Sequence, residues 1–305
     1  MRVLVTGGAG FIGSHIVEHL QGKADIRVID NLRTGFRRNL DGLTCELIEA
    51  SILDRDALRR ALTGVDYVFH LAAMISVPES MEKPRECAEI NTLGTLGVYE
   101  EAVRAGVKKL VLSTTSAIYG DNPVMPKVET MLPEPKSPYA VSKLDGEYYG
   151  RIFTDTGKLP VACLRYFNVF GPRQDPKSAY AAAVPIFTHR AVNNEPIVIF
   201  GDGEQTRDFI YVKDIAAANV FFATQSNQTG VFNVAYGKKI TVNALAQTIV
   251  RMTGSRSEIQ HVAERAGDVK HSMASVDKLL AAGFKPSGSL EAGLKATVEY
   301  FMKRK

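Results

Sequence analysis

The sequence predicts an α/β fold: a doubly wound parallel sheet followed by a smaller C-terminal α/β lobe. Three observations predict it. Apolar, β-rich runs alternate with longer helical patterns through the first 167 residues, and a glycine-rich turn joins the first strand to the first helix. After Asn168 the rhythm breaks, with Pro172, Pro176, Pro185 and Pro196 interrupting the chain.

Strands are expected at residues 2–6, 26–30, 45–50, 67–70, 110–113 and 161–167, and helices at 12–21, 55–62, 92–105 and 140–153. Repeated βα units of this kind build a parallel sheet, whose ligands bind beyond the carboxyl ends of the strands. Helical patterns at 242–252 and 290–302 remain in the second lobe, with no repeat or low-complexity tract. The two lobes are expected to share one cleft.

Composition narrows the function. The 305 residues are 45% hydrophobic and 23% charged, an ordinary globular balance. A net charge of +4 without a Lys/Arg run interleaved with aromatics argues against a nucleic-acid partner. Cys45, Cys87 and Cys163 are an odd number without zinc-ligand spacing, so neither a disulfide framework nor a metal site is expected. The first strand pattern begins at Arg2, and no apolar run approaches the ~18 residues of a membrane span. A cytoplasmic protein with no membrane partner is expected.

The first strand runs into Thr6-Gly7-Gly8-Ala9-Gly10-Phe11-Ile12-Gly13. Without Cβ atoms, Gly7 and Gly10 let backbone N–H groups approach a pyrophosphate, Gly13 permits close helix packing, and the helix dipole favours the anion. Glycine turns also occur without ligands, so context decides. The second strand ends at Asp30, twenty residues beyond Gly10, where a carboxylate accepts from a ribose 2′-OH and repels a 2′-phosphate. The expected fold is therefore Rossmann-type and the cofactor NAD, with Arg33 and Arg37 keeping NADP as a minor alternative.

In Ser137-Pro138-Tyr139-Ala140-Val141-Ser142-Lys143, Tyr139 and Lys143 are four apart and share a helix face. An ammonium beside a phenol lowers its pKa, making Tyr139 a general base near neutrality. On spacing alone the pair is an ordinary solvated helix edge. The strand at 110–113, however, delivers Thr114, Thr115 and Ser116 at its carboxyl end, where this sheet type places its active site.

With these motifs the chain resembles the extended short-chain dehydrogenases and, within them, the UDP-glucose (UDP-galactose) 4-epimerases. The resemblance runs nearly end to end. It covers residues 6–15, Asp30-Asn31-Leu32, His70-Leu71-Ala72-Ala73, Asn91, and 113–120, and continues through 138–143, 165–174, 201–208 and 265–268. It implies Tyr139 as catalytic base, Lys143 as the residue that positions the nicotinamide ribose and tunes Tyr139, and Thr115 as their hydroxyl partner. On the NAD side it implies Phe11, Ile12, Asn31, Thr34, Gly35, Ser51, Ile52, Leu71, Ala72, Ala73, Asn91 and Tyr166 beside the glycines and Asp30. On the UDP-sugar side it implies Ser116, Asn168, Arg207, Arg265, Asp268 and Ser272; a diphosphate suits guanidinium forks. Ser51 departs from the family, where many relatives carry Asp for the adenine amino group; a hydroxyl still accepts, without charge.

The resemblance further implies an NAD-binding domain over residues 1–167 and a mainly nucleotide-sugar-binding lobe over 168–305, some segments of which return to the first domain. It also implies a homodimer through the helices near 92–105 and 139–153. Relatives that dehydrate or decarboxylate the sugar carry an acid after the active-site Thr, whereas this chain has Ser116 and Ala117. Epimerisation at C4 through a keto sugar is therefore expected. The small Ser272 leaves room for an N-acetylated sugar, and UDP-glucuronate is a further alternative. A non-catalytic nucleotide sensor is disfavoured by the joint presence of Thr115, Tyr139 and Lys143.

Overall fold

The computed structural model describes residues 1–176, 182–264 and 270–304. The first half alternates strand and helix: β1 (Arg2–Thr6), α1 (Phe11–His19), β2 (Asp25–Asp30), β3 (Glu46–Glu49), α2 (Arg55–Leu62) and β4 (Tyr67–His70). There follow α3 (Val77–Glu82), α4 (Pro84–Cys87), a π-helical segment at Ala88–Leu93, α5 (Gly94–Arg104), β5 (Lys109–Thr115), α6 (Pro138–Asp155) and β6 (Val161–Tyr166). These six strands and a late one, β11 (Gly230–Val234), form one sheet in the order β3-β2-β1-β4-β5-β6-β11, every neighbouring pair parallel. The fold is the expected Rossmann-type α/β arrangement.

Strand interiors such as Val3-Leu4-Val5 and Val161-Ala162-Cys163-Leu164 are buried on both faces, because helices cover both sides of the sheet. One core contains α1 and β1; the other packs α2 and α5 against the opposite face. The order reverses at β1, flanked by β2 and β4, so the crevice expected to bind ligands opens beyond Thr6 and His70, which are in register.

The second half comprises β7 (Asn168–Phe170), α7 (Ala183–Val192), β8 (Ile197–Phe200), β9 (Thr206–Arg207), β10 (Phe209–Tyr211), α8 (Val212–Thr224) and β11 (Gly230–Val234). It continues with β12 (Ile240–Thr241), α9 (Val242–Thr253), β13 (Ile259–Val262), α10 (Asp277–Ala281) and α11 (Leu290–Met302). A separate core joins α7, α9 and α11 to the β10–β7 and β13–β8 pairs. Residues of α8 belong to the core that contains α1, and β11 pairs with β6, so 212–234 complete the first domain. Among the described residues no helix is long and apolar enough to cross a membrane.

Candidate active site

The glycine turn is built as a close approach. Gly7 has φ +69°, and a Cβ there would lie 2.8 Å from the Ala72 nitrogen; one on Gly13 would lie 2.2 Å from the Gly7 carbonyl oxygen. Gly10 starts α1, and among the described residues no side chain caps it, which leaves the first-turn N–H groups of Phe11 and Ile12 to an anion. Asp30 is 8% exposed, and its carboxylate accepts from Ala9 N at 2.9 Å and Leu32 N at 2.8 Å. Burial raises its pKa. Each oxygen retains a lone pair for a ribose hydroxyl, and a Cβ on Gly35 would press to 2.9 Å of Oδ2. These residues fit a dinucleotide.

The two arginines that kept NADP open are occupied. Arg33 pairs with Glu79 and Glu86 at 2.7 and 2.6 Å, and Arg37 pairs with Glu49. Asn31 and Thr34 are exposed at the rim, with Asn31 Oδ1 accepting from Arg33 N. Ser51 Oγ accepts from Leu53 N at 3.2 Å, while Ile52 is buried against Gly94.

The loop after β4 is held from below. Thr6 Oγ1 accepts from Leu71 N and Ala72 N at 3.1 and 3.2 Å, so its own proton goes to His70 Nδ1, 2.7 Å away. That assigns the His70 proton to Nε2, which donates to Thr95 Oγ1 at 2.9 Å. Burial, and secondarily the Lys143 charge, push the His70 pKa down to about 3. His70 is therefore a neutral strut beneath Leu71, Ala72 and Ala73, a role the sequence reading did not give it.

Asn91 braces the chain around the cleft. Its side chain accepts from Met74 N at 2.7 Å and donates to Met74 O and Ser142 Oγ, both at 3.0 Å. It sits in the π-helical segment, whose extra residue per turn re-aims a side chain, a recurrent feature of functional sites. Tyr166 is likewise committed, its hydroxyl paired with Asn219 at 2.9 Å and its side chain buried.

Helix α6 starts at Ser137, whose side chain accepts from Ala140 N, with Pro138 in the first turn and Tyr139 N donating to Ser80 Oγ at 3.2 Å. Thr115, at the end of β5, lies near enough to the Tyr139 hydroxyl to pull its pKa down, and its Oγ1 accepts from Ala117 N at 3.1 Å. Lys143 Nζ donates to the Ser113 carbonyl at 3.1 Å. The structure thus brings Thr115, Tyr139 and Lys143 together on β5 and α6.

The expected lowering of the Tyr139 pKa is not met by the chain itself. Burial pushes the phenol up to about 12, opposed by the Thr115 hydrogen bond, and burial pushes Lys143 down to about 8. Desolvation penalises both charged forms and outweighs the attraction expected from spacing.

Glu147 continues the Tyr139–Lys143 face by one more turn and was missed by the sequence reading, although the spacing of four residues was its signal. It accepts from Arg165 on β6 and, at 2.8 Å, from Thr114 Oγ1 on β5. Arg165 Nη1 is buried without a partner among the described residues.

A second cluster follows directly from β6. Asn168 N and Nδ2 both donate to Asp208 O at 3.1 Å, and the Asp208 carboxylate accepts from Tyr236 N, Gly237 N and Ala274 N. Burial raises that carboxyl to about 6. Arg207 Nη1 donates to Thr206 O at 2.9 Å, the carbonyl that also accepts from Ser272 N at 3.1 Å. Asn168, Arg207 and Ser272 are thereby tied to one framework. Ser116 opens a short 3₁₀ turn just beyond Thr115. Arg265 and Asp268 lie outside the described residues.

A parallel sheet with a glycine turn, a buried ribose-side acid and a Thr–Tyr–Lys centre defines an NAD-linked enzyme of short-chain dehydrogenase type. The model of the NAD dependent epimerase/dehydratase family matches residues 3–235, and the chain belongs to that family, with NAD as its cofactor. It is 38% identical over 301 residues, 98% of this chain and 97% of the other, to a putative UDP-glucose 4-epimerase of Methanocaldococcus jannaschii. Among solved structures it is similar to a UDP-N-acetylglucosamine 4-epimerase from Methanobrevibacter ruminantium M1 in complex with UDP-N-acetylmuramic acid (TM-score 0.96, 42% identity, 100% and 99% coverage). It is similar too to the UDP-glucose 4-epimerase of Thermotoga maritima with UDP-glucose (TM-score 0.94, 42% identity, 100% and 99% coverage).

Proposed function

We propose that the protein is a 4-epimerase of UDP-hexoses, interconverting UDP-glucose and UDP-galactose through a transient 4-keto sugar. The observation that carries this reading is the Thr115–Tyr139–Lys143 constellation at the carboxyl end of β5, followed by Ser116 and Ala117 rather than a carboxyl group. Bound NAD would supply a hydride acceptor and donor at C4. Tyr139 Oη acts as the phenolate, a form that the charges of Lys143 and of a bound nicotinamide would favour against burial; it takes the proton of the sugar 4-hydroxyl as C4 is oxidised, with Thr115 hydrogen-bonded to the same oxygen and Lys143 seated on the Ser113 carbonyl. Without a carboxyl at 116 or 117 to assist elimination, the keto sugar turns and is reduced on its other face, with Tyr139 returning the proton.

Asn168, Arg207, Arg265 and Asp268 are the proposed UDP ligands, and residues 168–305 contribute mainly to that side of the cleft. A second reading, turnover of N-acetylated UDP-sugars, is favoured by Ser272, whose small side chain leaves space at the sugar 2-position, and by the Methanobrevibacter neighbour. The exposed apolar residues of α6 support a homodimer. Incubating purified protein with UDP-glucose, UDP-galactose and their N-acetylated forms, without added NAD, tests the proposal. Interconversion of either pair supports epimerisation, and retained NAD without turnover of any of the four contradicts it.

A further inference from the structure

The residues that fit the two ends of NAD lie on opposite sides of β1. Asp30 ends β2 on one side, whereas Lys143 belongs to α6, which follows β5 on the other, with β4 between. The crevice beyond the end of β1 is therefore bounded by the loop that follows β2 and by the segment that follows β4. Those two boundaries are joined to each other. Arg33, just beyond the end of β2, donates to Glu79 Oε1 on α3 at 2.7 Å and to Glu86 Oε1 on α4 at 2.6 Å, and both helices follow β4. Lys83 adds a second cation, 3.6 Å from Glu79 and 3.9 Å from Glu86.

Each side of this junction is itself fixed. On the β2 side, Leu32 N donates to Asp30 Oδ1 at 2.8 Å and Arg33 N to Asn31 Oδ1 at 3.2 Å, and Leu32 takes φ +58°. A bulky side chain keeps that left-handed conformation only where its surroundings impose it. On the other side, Ser76 Oγ accepts from Glu79 N at 3.1 Å, Asn91 holds both backbone polar groups of Met74, and Ser80 Oγ accepts from Tyr139 N. Glu79 thus stands beside the serine that holds the proposed base. A lone surface ion pair contributes little. Here one guanidinium engages carboxylates on two helices, and the Arg33 and Glu79 side chains are only 32% and 28% exposed. Burial works against the Arg33 charge, and the bonds to Glu86 and Glu79 outweigh it, so its pKa is raised.

We propose that Arg33, Glu79 and Glu86 form a clasp across the crevice beyond β1 that retains bound NAD, so that the dinucleotide leaves only when the clasp opens. Arg33 then has a cofactor role without touching a 2′-phosphate: it sets how long NAD stays. The clasp must break on both carboxylates before the β2 loop and the α3–α4 segment can part, which places its effect on release rather than on the chemical step.

Exchange of bound radiolabelled NAD for excess unlabelled NAD, followed on the holoenzyme without any sugar nucleotide, reads the release rate. Arg33→Met should release NAD about tenfold faster or more at low salt, since loss of a contact shows mainly in dissociation. Glu79→Gln/Glu86→Gln should accelerate release by a similar factor, and the triple variant by no more than either, because the three groups act as one unit. Raising NaCl from about 0.05 M to about 0.5 M should speed release from wild type by a larger factor than from Arg33→Met, because screening weakens the intact clasp. Release unchanged in Arg33→Met, accelerations that multiply in the triple variant, or an equal salt response in both proteins would each overturn the proposal. The result does not depend on which sugar nucleotide the enzyme turns over.

Discussion

The Glu147 carboxylate grips the Arg165 guanidinium with both oxygens, Oε1 to Nε at 2.9 Å and Oε2 to Nη2 at 2.6 Å, and each side chain is 3% exposed. Because Tyr139, Lys143 and Glu147 fall on one face of α6, this pair and the Thr114 bond fix the register in which Tyr139 meets Thr115. Removing one partner strands a buried charge. Glu147→Ala should therefore lose about 3–5 kcal/mol in urea unfolding. Glu147→Ala/Arg165→Met should be more stable than the single variant, whereas an additive loss would mean that the two side chains act separately.

The buried neutral His70 makes a pH prediction. Its folded pKa of about 3 lies below the ordinary value of 6.5, so between those values the unfolded chain binds the proton that the fold refuses. The contribution is present above pH ~6.5 and lost as pH falls, by about 1.4 kcal/mol per unit. The stability difference between wild type and His70→Gln should shrink with that slope from pH 6.5 to 4.5 in urea titrations. A pH-independent difference would contradict a neutral His70.

Much of this architecture was legible because local pattern and tertiary role coincide. The strands at 2–6 and 67–70 and the helices at 55–62 and 290–302 fall where periodicity put them. α8 was not legible: Ile215, Ala216, Ala218, Asn219, Val220 and Phe222 are all buried, so the helix has no polar stripe to announce its period. The partner of β11 is β6, more than sixty residues earlier, and no local signal reports a pairing at that distance. The glycine turn and the Tyr–Lys spacing exposed the centre of the site. The supports beneath it, His70 and Arg165, depend on strand-to-strand and strand-to-helix contacts that spacing does not encode.

Substrate choice is tested at Ser272, whose backbone shares the Thr206 carbonyl with Arg207. Ser272→Tyr should depress turnover of N-acetylated UDP-sugars more than that of UDP-glucose, by about tenfold or more in the ratio of kcat/KM. Equal losses for both sugars would count against Ser272 as the gate.

On α6, Val141, Tyr148 and Ile152 are 45%, 53% and 54% exposed, and their spacing places them along one helical stripe. Sedimentation velocity should give a dimer for wild type and a shift toward monomer for Ile152→Glu, since a charge in a symmetric apolar contact is introduced twice. A monomeric wild type at micromolar concentration would dismiss this face as a subunit contact.

The central claim is that Tyr139 carries the proton in an NAD-linked epimerisation, and Tyr139→Phe tests it most directly through the initial rate of UDP-glucose conversion to UDP-galactose, normalised to bound NAD. The Oη hydroxyl is the only group removed. A fall of about a hundred- to ten-thousand-fold with NAD still bound is the predicted result, and an unimpaired rate would contradict the assignment.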